Sequence, residues 1–433
     1  MEKKILGLIL GILLVGVVVA TGVYFLFPYS PDNPPSADDS GFTKEGIQEV
    51  VNANNQFAFE LYSELSESEK GNLFYSPYSI SSALAMTYEG ARGETAEEIK
   101  SVFHFPELNI LRPNFAAIYN NLNPGNQFYE LKTGNALWLQ EDYKFLDDYL
   151  NSVERYYGGR AANLDFLHET ENSRQTINSF IEEQTNSKIK ELIPQGVLDP
   201  MTRMVLTNAI YFKGTWEWEF DKSDTRDLDF KLSSEESIKV PIMFMSPDKA
   251  VFNYADLEKL QILELPYKGE KISMLILLPK QGTEYDFETG ESISNNYNLE
   301  DIEFSIERLE EYKALMHETK LDSIYLPKFE FETKSFMSDA LSNLGMPVAF
   351  SNGADFSGMD GTRNLLISDV IHQAYVKVDE KGTEAAAATA VVMEVTSAMP
   401  RNIFRADHPF IFIIQERETG NILFMGRVVD PSS

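Results

Sequence analysis

Residues 379–392 read DEKGTEAAAATAVV, a segment whose composition permits two structures. The four consecutive alanines favour a helix, because alanine has the highest helix propensity. The threonines and valines around them favour a strand. An exposed alanine-rich helix or a plain loop would need no partner, whereas a strand needs a sheet. The rest of the sequence has to decide between these interpretations.

Interpreted as a strand, the segment has two distinct faces, because alternate side chains point to opposite sides. One face is uncharged and consists of Thr383, Ala385, Ala387, Thr389, Val391 and Met393. The other face carries both glutamates and consists of Glu384, Ala386, Ala388, Ala390, Val392 and Glu394. Such a strand can bury its uncharged face, and its small side chains would let it enter between existing strands without overpacking. Gly382 can adopt backbone angles that other residues avoid, which predicts a hinge before the strand.

The composition indicates a large folded protein with an acidic surface. The chain has 433 residues, of which 43% are hydrophobic and 12% aromatic, so it can bury a sizeable core. Its formal net charge of −30 argues against a nucleic-acid partner, since phosphates require lysine and arginine. The absence of cysteine excludes disulfides, thiol nucleophiles and cysteine metal ligands.

The N-terminus carries an apolar segment. Lys3 and Lys4 precede an uncharged run from Ile5 to Phe27, which as a helix would span about 34 Å against about 30 Å of hydrocarbon. Residues 1–27 are therefore either a signal peptide, cleaved after Ala20, or a retained transmembrane anchor. In both cases the lysines should stay inside, and the remaining chain is expected to be secreted or held at the cell surface by a single helix.

Domain boundaries follow from composition. Residues 28–41 contain PYSPDNPPSADDS and are typical of an extended linker. The segment 280–301 is interpreted as a surface insertion, and no second linker or internal repeat is evident. Residues 42–433 are therefore predicted to form one domain.

Helical and β-rich segments are separated along this domain. The apolar face of residues 44–65 and the apolar run 79–88 predict helices in the first part. Strand patterns become dense later, at residues 134–140, 203–214, 260–268, 272–279, 322–333, 373–380, 409–416 and 421–429. This distribution predicts an α+β fold rather than regular βαβ alternation.

The segment 370–390, VIHQAYVKVDEKGTEAAAATA, followed by HPFIFII at 408–414, resembles the reactive-loop region of the serpins. Further segments that are similar to this family occur in family order at residues 72–99, 206–220, 326–332, 344–359 and 422–431. They include NLFYSPYSISSALAMTYEGARGETAEEI, LTNAIYFKGTWEWEF and ILFMGRVVDP. The resemblance covers about residues 44 to 431 and leaves out the apolar N-terminus, the linker and the 280–301 insertion.

The resemblance implies a fold of three β-sheets and about nine helices, with an exposed reactive-centre loop. It also implies a suicide-type inhibitor of serine proteases. The protease cleaves the loop and forms an acyl-enzyme, and the cleaved loop inserts into the main sheet. About 12 inserted residues at about 3.3 Å each would move the attached end by about 40 Å.

The resemblance also assigns site residues. The loop hinge comprises Glu380, Lys381, Gly382, Thr383, Glu384, Ala385, Ala386, Ala387, Ala388 and Thr389. Glu380 and Lys328 match a family ion pair where insertion begins, and Trp216 and His372 match positions expected near the same point. Ser76, Pro77 and Ser79 match a segment that packs beneath the opening sheet.

The reactive bond has two positions, depending on how the loop is counted. Fourteen residues after Gly382 lead to the bond between Thr396 and Ser397, whereas counting back from Pro409 gives Ala398–Met399. Val395 is a further alternative. The leading candidates are small or β-branched, which suits an elastase-like or subtilisin-like protease with a shallow primary pocket.

Other functions have weaker support in the sequence. The HETEN (168–172) and HETKL (317–321) segments lack the second histidine of a zinc-protease motif, and GxSxG and GxxxxGK[ST] are absent, so no enzyme activity is expected. The alternative is a non-inhibitory serpin that acts as a binding or chaperone-like surface protein. No cofactor or metal is expected, and a monomer is expected. A heparin-type activator is not expected either, because no basic cluster is evident in the sequence and residues 94–100 are acidic.

Overall fold

The computed structural model describes residues 36–123, 128–247, 250–285, 292–383 and 402–433. The apolar segment 5–27, the hinge residues from Glu384 to Thr389 and all candidate reactive bonds between Val395 and Met399 lie outside this description. Among the described residues, no helix is both long and apolar enough to cross a bilayer.

Nine α-helices occur in the described part of the chain. Their starts follow local chemistry: the Thr43 hydroxyl accepts a hydrogen bond from the Gly46 amide, and the Ser76 hydroxyl caps a helix whose first residue is Pro77. The helices are α1 (Lys44–Ser68), α2 (Pro77–Gly90), α3 (Gly93–Val102), α4 (Leu108–Leu122), α5 (Asp147–Tyr157), α6 (Thr170–Gln184), α7 (Ile306–Leu315), α8 (Ser338–Leu344) and α9 (Ser357–Asp360).

The same described residues contain twenty strands. They are β1 (Leu73–Tyr75), β2 (Tyr129–Thr133), β3 (Ala136–Gln140), β4 (Arg160–Leu164), β5 (Met204–Thr215), β6 (Arg226–Lys231), β7 (Ser237–Met245), β8 (Phe252–Asp256), β9 (Leu260–Pro266), β10 (Ile272–Pro279), β11 (Gln281–Tyr285), β12 (Ser292–Asn296), β13 (His317–Thr319), β14 (Ser323–Pro327), β15 (Phe329–Phe336), β16 (Asp369–Asp379), β17 (Gly382–Thr383), β18 (Ile403–Arg405), β19 (Phe410–Glu416) and β20 (Ile422–Val428).

The strands form three larger sheets and one hairpin. The main sheet has the order β15-β16-β17-β5-β3-β4, with β2 also paired to β5. A back sheet has the order β1-β20-β19-β10-β9-β8-β13, and a small sheet has the order β18-β14-β7-β6. The hairpin β11–β12 lies in the 280–301 segment. The predicted α+β class, the three sheets and the number of helices are confirmed.

The β-rich segment 322–333 contributes to two sheets rather than one. β14 belongs to the small sheet and β15 to the main sheet, and only Lys328 separates them. The Lys328 amide donates to the Pro241 carbonyl in β7 at 2.9 Å. This crossing holds the small sheet against the end of the main sheet.

Two separate apolar clusters pack against the main sheet, one on each face, although the second face is exposed at Lys213 and Glu330. One face packs on the back sheet and α2 in the large core, which includes Phe212, Tyr267 and Val378. On the other face, α6 contributes Ile177, Phe180 and Ile181 to a second core that reaches Ala209 and Ile371. At the level of Ala209 and Ile371, a strand added to the main sheet would therefore have to enter between two packed layers.

The described end of the predicted linker contacts the domain. The Asn120 side chain accepts from the Ala37 amide at 2.9 Å and donates to the Ala37 carbonyl at 2.8 Å. Asp38 forms an ion pair with Arg155 at 2.5 Å. Residues 36–38 thus lie against α4 and α5.

Candidate functional site

The site is built around the boundary between β5 and β16, which we call the seam. Residues Asp369–Ala374 of β16 pair in parallel with Val205–Ile210 of β5. Beyond Ala374 the two strands separate, and the two residues of β17 lie between them. Gly382 pairs with Asp379 and Thr215, and Thr383 pairs with Val378 and Gly214. Gly382 and Thr383 therefore already form a short antiparallel strand at the open end of the seam.

The relative register of β5 and β16 is the same on both parts of the seam. Where they pair directly, His372 lies opposite Asn208. Where β17 lies between them, Val378 and Gly214 flank the same residue, Thr383, with the same sequence offset between the two strands. A third strand can therefore separate β5 from β16 without either strand sliding along the other.

Gly382 is required at the first position of β17. Its φ of +151° lies in a region that L-residues rarely adopt. A Cβ built there would stand 2.0 Å from the carbonyl oxygen of Gly214. Only glycine lets the chain come this close to β5 as it leaves the turn.

Thr383 is buried, at 2% exposure, and its hydroxyl forms a 2.7 Å hydrogen bond with that of Tyr267. The Tyr267 ring stacks on Trp216 with a centroid distance of 4.5 Å. Trp216 in turn donates from Nε1 to the Asp379 carbonyl at 3.1 Å and from its amide to the Lys381 carbonyl at 2.8 Å. Trp216 thus holds the turn that precedes β17. Tyr267 was missed by sequence reasoning, because nothing local distinguishes it from an ordinary core aromatic.

The predicted pair of Glu380 and Lys328 is present at this turn. Lys328 Nζ donates to both Glu380 carboxylate oxygens, at 2.9 and 3.1 Å, and the Thr225 hydroxyl donates to one of them at 2.8 Å. Burial raises the pKa of Glu380, but the hydrogen bonds from Lys328 and Thr225 lower that pKa by more, so the net pKa is below its usual value. The carboxylate is therefore held in its charged form beside the loop base.

His372 lies farther along the seam than the sequence analysis expects. It is six residues before Val378 on β16, about 20 Å from the level of Thr383. The expectation that His372 and Trp216 share one location is therefore wrong. The physical reason is that β16 is continuous from Asp369 to Asp379, so its two ends lie at different levels of the sheet.

A buried hydrogen-bond network surrounds His372. The Ser76 amide donates to its Nε2 at 3.2 Å, so the proton of the neutral ring is on Nδ1, which donates to Asn208 Oδ1. Asn208 Nδ2 donates to Ser79 Oγ and to Asn135 Oδ1, both at 2.8 Å. The network joins α2, β5 and β16 beneath the closed part of the seam. Asn135 and Asn208 were not predicted, although Asn208 is a polar residue inside an apolar strand.

Comparisons with known proteins agree with this architecture. Residues 52–431 match the family model for Serpin (serine protease inhibitor). The chain is 43% identical over 391 residues to an uncharacterized serpin-like protein of Methanosarcina mazei, with 88% of each chain covered. It is 40% identical over 388 residues to leukocyte elastase inhibitor A of Rattus norvegicus, which covers 89% of this chain and 100% of the relative.

Solved structures have the same fold. Uncleaved ovalbumin superposes with a TM-score of 0.75 at 32% identity, covering 88% of this chain and 100% of ovalbumin. Serpin48 of Tenebrio molitor superposes with a TM-score of 0.76 at 31% identity, covering 90% and 100%. The chain therefore belongs to the serpin family.

The pH dependence of stability tests the state of His372. Burial lowers the pKa of this imidazole to about 3, against about 6.5 in an unfolded chain. Its contribution to stability is fully present above pH 6.5 and is lost as the pH falls towards 3, because only the unfolded chain binds the proton. Between pH 6.5 and 4.5 the loss from this residue should be about 2–3 kcal/mol.

Denaturant unfolding of the uncleaved protein at several pH values measures this loss. His372→Gln should lose less stability than the parent on acidification, whereas His317→Gln, which removes an exposed histidine, should match the parent. An unchanged pH dependence in His372→Gln would show that His372 is not buried in its neutral form.

Proposed function

We propose that the chain inhibits a serine protease by a suicide mechanism. The protease serine attacks the carbonyl of the residue before the reactive bond, the amide nitrogen leaves with a proton, and an ester links the loop to the enzyme. The loop then inserts along the seam before water hydrolyses the ester. The observation that carries this proposal is β17, which pairs with both β5 and β16 in the register that they share when they pair directly.

Extending this register predicts where insertion would place each residue. Continuing β17 antiparallel to both neighbours puts position 389 between His372 and Asn208, and position 392 between Asp369 and Val205. Because Gly382 and Thr383 are already in place, nine residues remain to be inserted. At about 3.3 Å per residue, the attached protease would move by about 30 Å along the seam.

The side chains suit these positions. Positions 385 and 387 would face Phe212, Val376, Ile210 and Ala374 of the large core, where the sequence has alanines. Glu384 would point to the opposite face, between Lys213 and Lys377 of the two flanking strands. The hinge charge would thus meet two ammonium groups rather than the core.

Insertion would also change the network around His372. Neighbouring strands lie about 4.8 Å apart, so an intervening strand would hold β5 and β16 about 9.6 Å apart. The hydrogen bond from His372 to Asn208 would then be lost. Thr389 would lie between them on the same face, where its hydroxyl could accept from His372 Nδ1.

The target is proposed to be an elastase-like or subtilisin-like protease. It would cut the loop at Thr396–Ser397, with Val395 and Ala398–Met399 as alternative positions. The relatives named leukocyte elastase inhibitor support the elastase-like class. The apolar residues 5–27 support secretion or membrane anchorage, and both remain proposals.

A binding function is the second candidate. The chain also resembles human thyroxine-binding globulin, solved in complex with its hormone, with a TM-score of 0.76 at 31% identity. The serpin fold is therefore compatible with ligand carriage. Covalent complex formation with a protease distinguishes the two candidates.

Substitution of Thr383 tests the insertion mechanism. The parent should form a protease complex that survives boiling in detergent. Thr383→Arg would place an unpaired charge beside Tyr267 at the first inserted position, where burial of a charge is costly. Deacylation should then overtake insertion, and the variant should be cleaved at the same bond as a substrate, with at least a tenfold lower yield of complex.

Thr383→Ser is the matched control, because it keeps the hydroxyl that contacts Tyr267, and it should inhibit like the parent. An arginine at position 388 would not serve as a solvent-exposed control, although Ala388 lies on the same predicted face as Glu384. The extended register puts it opposite Ala209 and Gln373, which are both buried. Full inhibition by Thr383→Arg would contradict the mechanism.

Cleavage of the loop should raise the melting temperature sharply, because insertion completes the main sheet. Thr389→Val should lower the unfolding free energy of the cleaved form by about 1–3 kcal/mol, since the buried His372 Nδ1–H would lose its acceptor. Thr389→Ser keeps the hydroxyl, so its cleaved form should have the unfolding free energy of the cleaved parent. The uncleaved forms of the parent and of both variants should unfold alike. Denaturant unfolding before and after cleavage measures both effects, and equal stability of the cleaved parent and Thr389→Val would refute the predicted position of Thr389.

A further inference from the structure

A lysine-rich cavity of about 470 Å³ lies beside the loop base, where the small sheet and the C-terminal residues meet the edge of the main sheet. Five of the residues that line it are lysines distant in sequence: Lys222, Lys239, Lys328, Lys377 and Lys381. Three of the lining residues are acidic: Glu330, Asp379 and Glu380. The cavity therefore has an excess of positive charge.

This excess is unusual for the chain, which has 67 acidic and 37 basic residues. A local reversal of sign in a strongly acidic protein concentrates anions at one place, because the surrounding negative surface repels them elsewhere. No stretch of sequence predicts the cluster. The lysines come from separate segments, and the crossing of the chain at Lys328 brings the small sheet and the main sheet together.

Two of the lysines form ion pairs that are partly open to solvent. Lys239 pairs with Asp229 at 3.1 Å, but both side chains are more than 60% exposed. Lys377 pairs with Glu330 at 2.6 Å, and that carboxylate is half exposed. Ion pairs in such positions contribute only about 0–1 kcal/mol each. An incoming anion can therefore reorient these ammonium groups at little cost.

We propose that this cavity binds a compact polyanion of the triphosphate type. Lysine ammonium groups act as separate point charges with freely rotating donors, which suits phosphate oxygens without demanding one planar geometry. The described residues that line the cavity include no arginine. The volume admits a small ligand but not a folded partner, and the exposed positions of Lys222 and Lys239 leave a path from solvent.

The polyanion and the loop base compete for one cation. Lys328 is one of the residues that line the cavity, and its Nζ donates to both carboxylate oxygens of Glu380. A bound polyanion would attract the same ammonium group and would be repelled by the Glu380 carboxylate. Coupling between two interactions is reciprocal. If Glu380 lowers the affinity of the cavity for the anion, the bound anion must also weaken the ion pair between Lys328 and Glu380. The site thereby couples the concentration of the anion to the ion pair of Glu380 at the loop base.

Isothermal titration of the full chain with inorganic triphosphate, at low ionic strength, tests the site without any protease. The parent should bind triphosphate, and the affinity should fall with added sodium chloride. The double variant Lys222→Gln/Lys239→Gln should bind about fivefold more weakly. Lys44→Gln, which removes an exposed lysine on α1 away from the cavity, is the control and should bind like the parent.

Glu380→Gln provides the sharper test, because it should bind triphosphate about fivefold more tightly than the parent. Both cavity variants must first be shown to be folded, and the double variant alters only exposed side chains. Absence of binding by the parent would overturn the proposal. It would also be overturned if the double variant bound like Lys44→Gln, or if Glu380→Gln bound no more tightly than the parent.

Discussion

The parallel pairing of β5 with β16 is the contact on which the rest of this structure depends. Six residue pairs close the seam, and beyond them the strands separate around Gly382 and Thr383. Since the offset between the strands is the same in both parts, the sheet can widen by one strand without any strand sliding. The proposed opening of this boundary would therefore follow a fixed register.

The two ends of this boundary are held by different chemistry. At the open end, Trp216 and the ion pair of Glu380 with Lys328 fix the turn before the hinge. At the closed end, His372 and Asn208 bridge β16 and β5 through side chains. In the proposed insertion, the first set would position the strand that enters, and the second set would be broken when that strand arrives. The proposed polyanion site acts on the first set, because it uses Lys328.

The sequence predicts the class of fold and the hinge, because both depend on local patterns. The alternating segments predict the strands. The glycine at position 382 predicts the hinge, and a Cβ at this position would clash with the carbonyl oxygen of Gly214. The sequence does not predict the level of His372 on the sheet, since that depends on the length and pairing of β16. Tyr267 and Asn208 were missed because their partners, Thr383 and His372, are distant in sequence. The lysine-rich cavity was missed for the same reason.

Hydrogen–deuterium exchange of the loop-cleaved protein, followed by mass spectrometry, tests most directly whether the seam accepts the loop. We predict that amides from position 385 to position 391 become strongly protected after cleavage, because they would form hydrogen bonds with β5 and β16 on both sides. The peptides that contain β5 and β16 should stay protected. Free exchange across positions 385–391 in the cleaved protein would contradict the account.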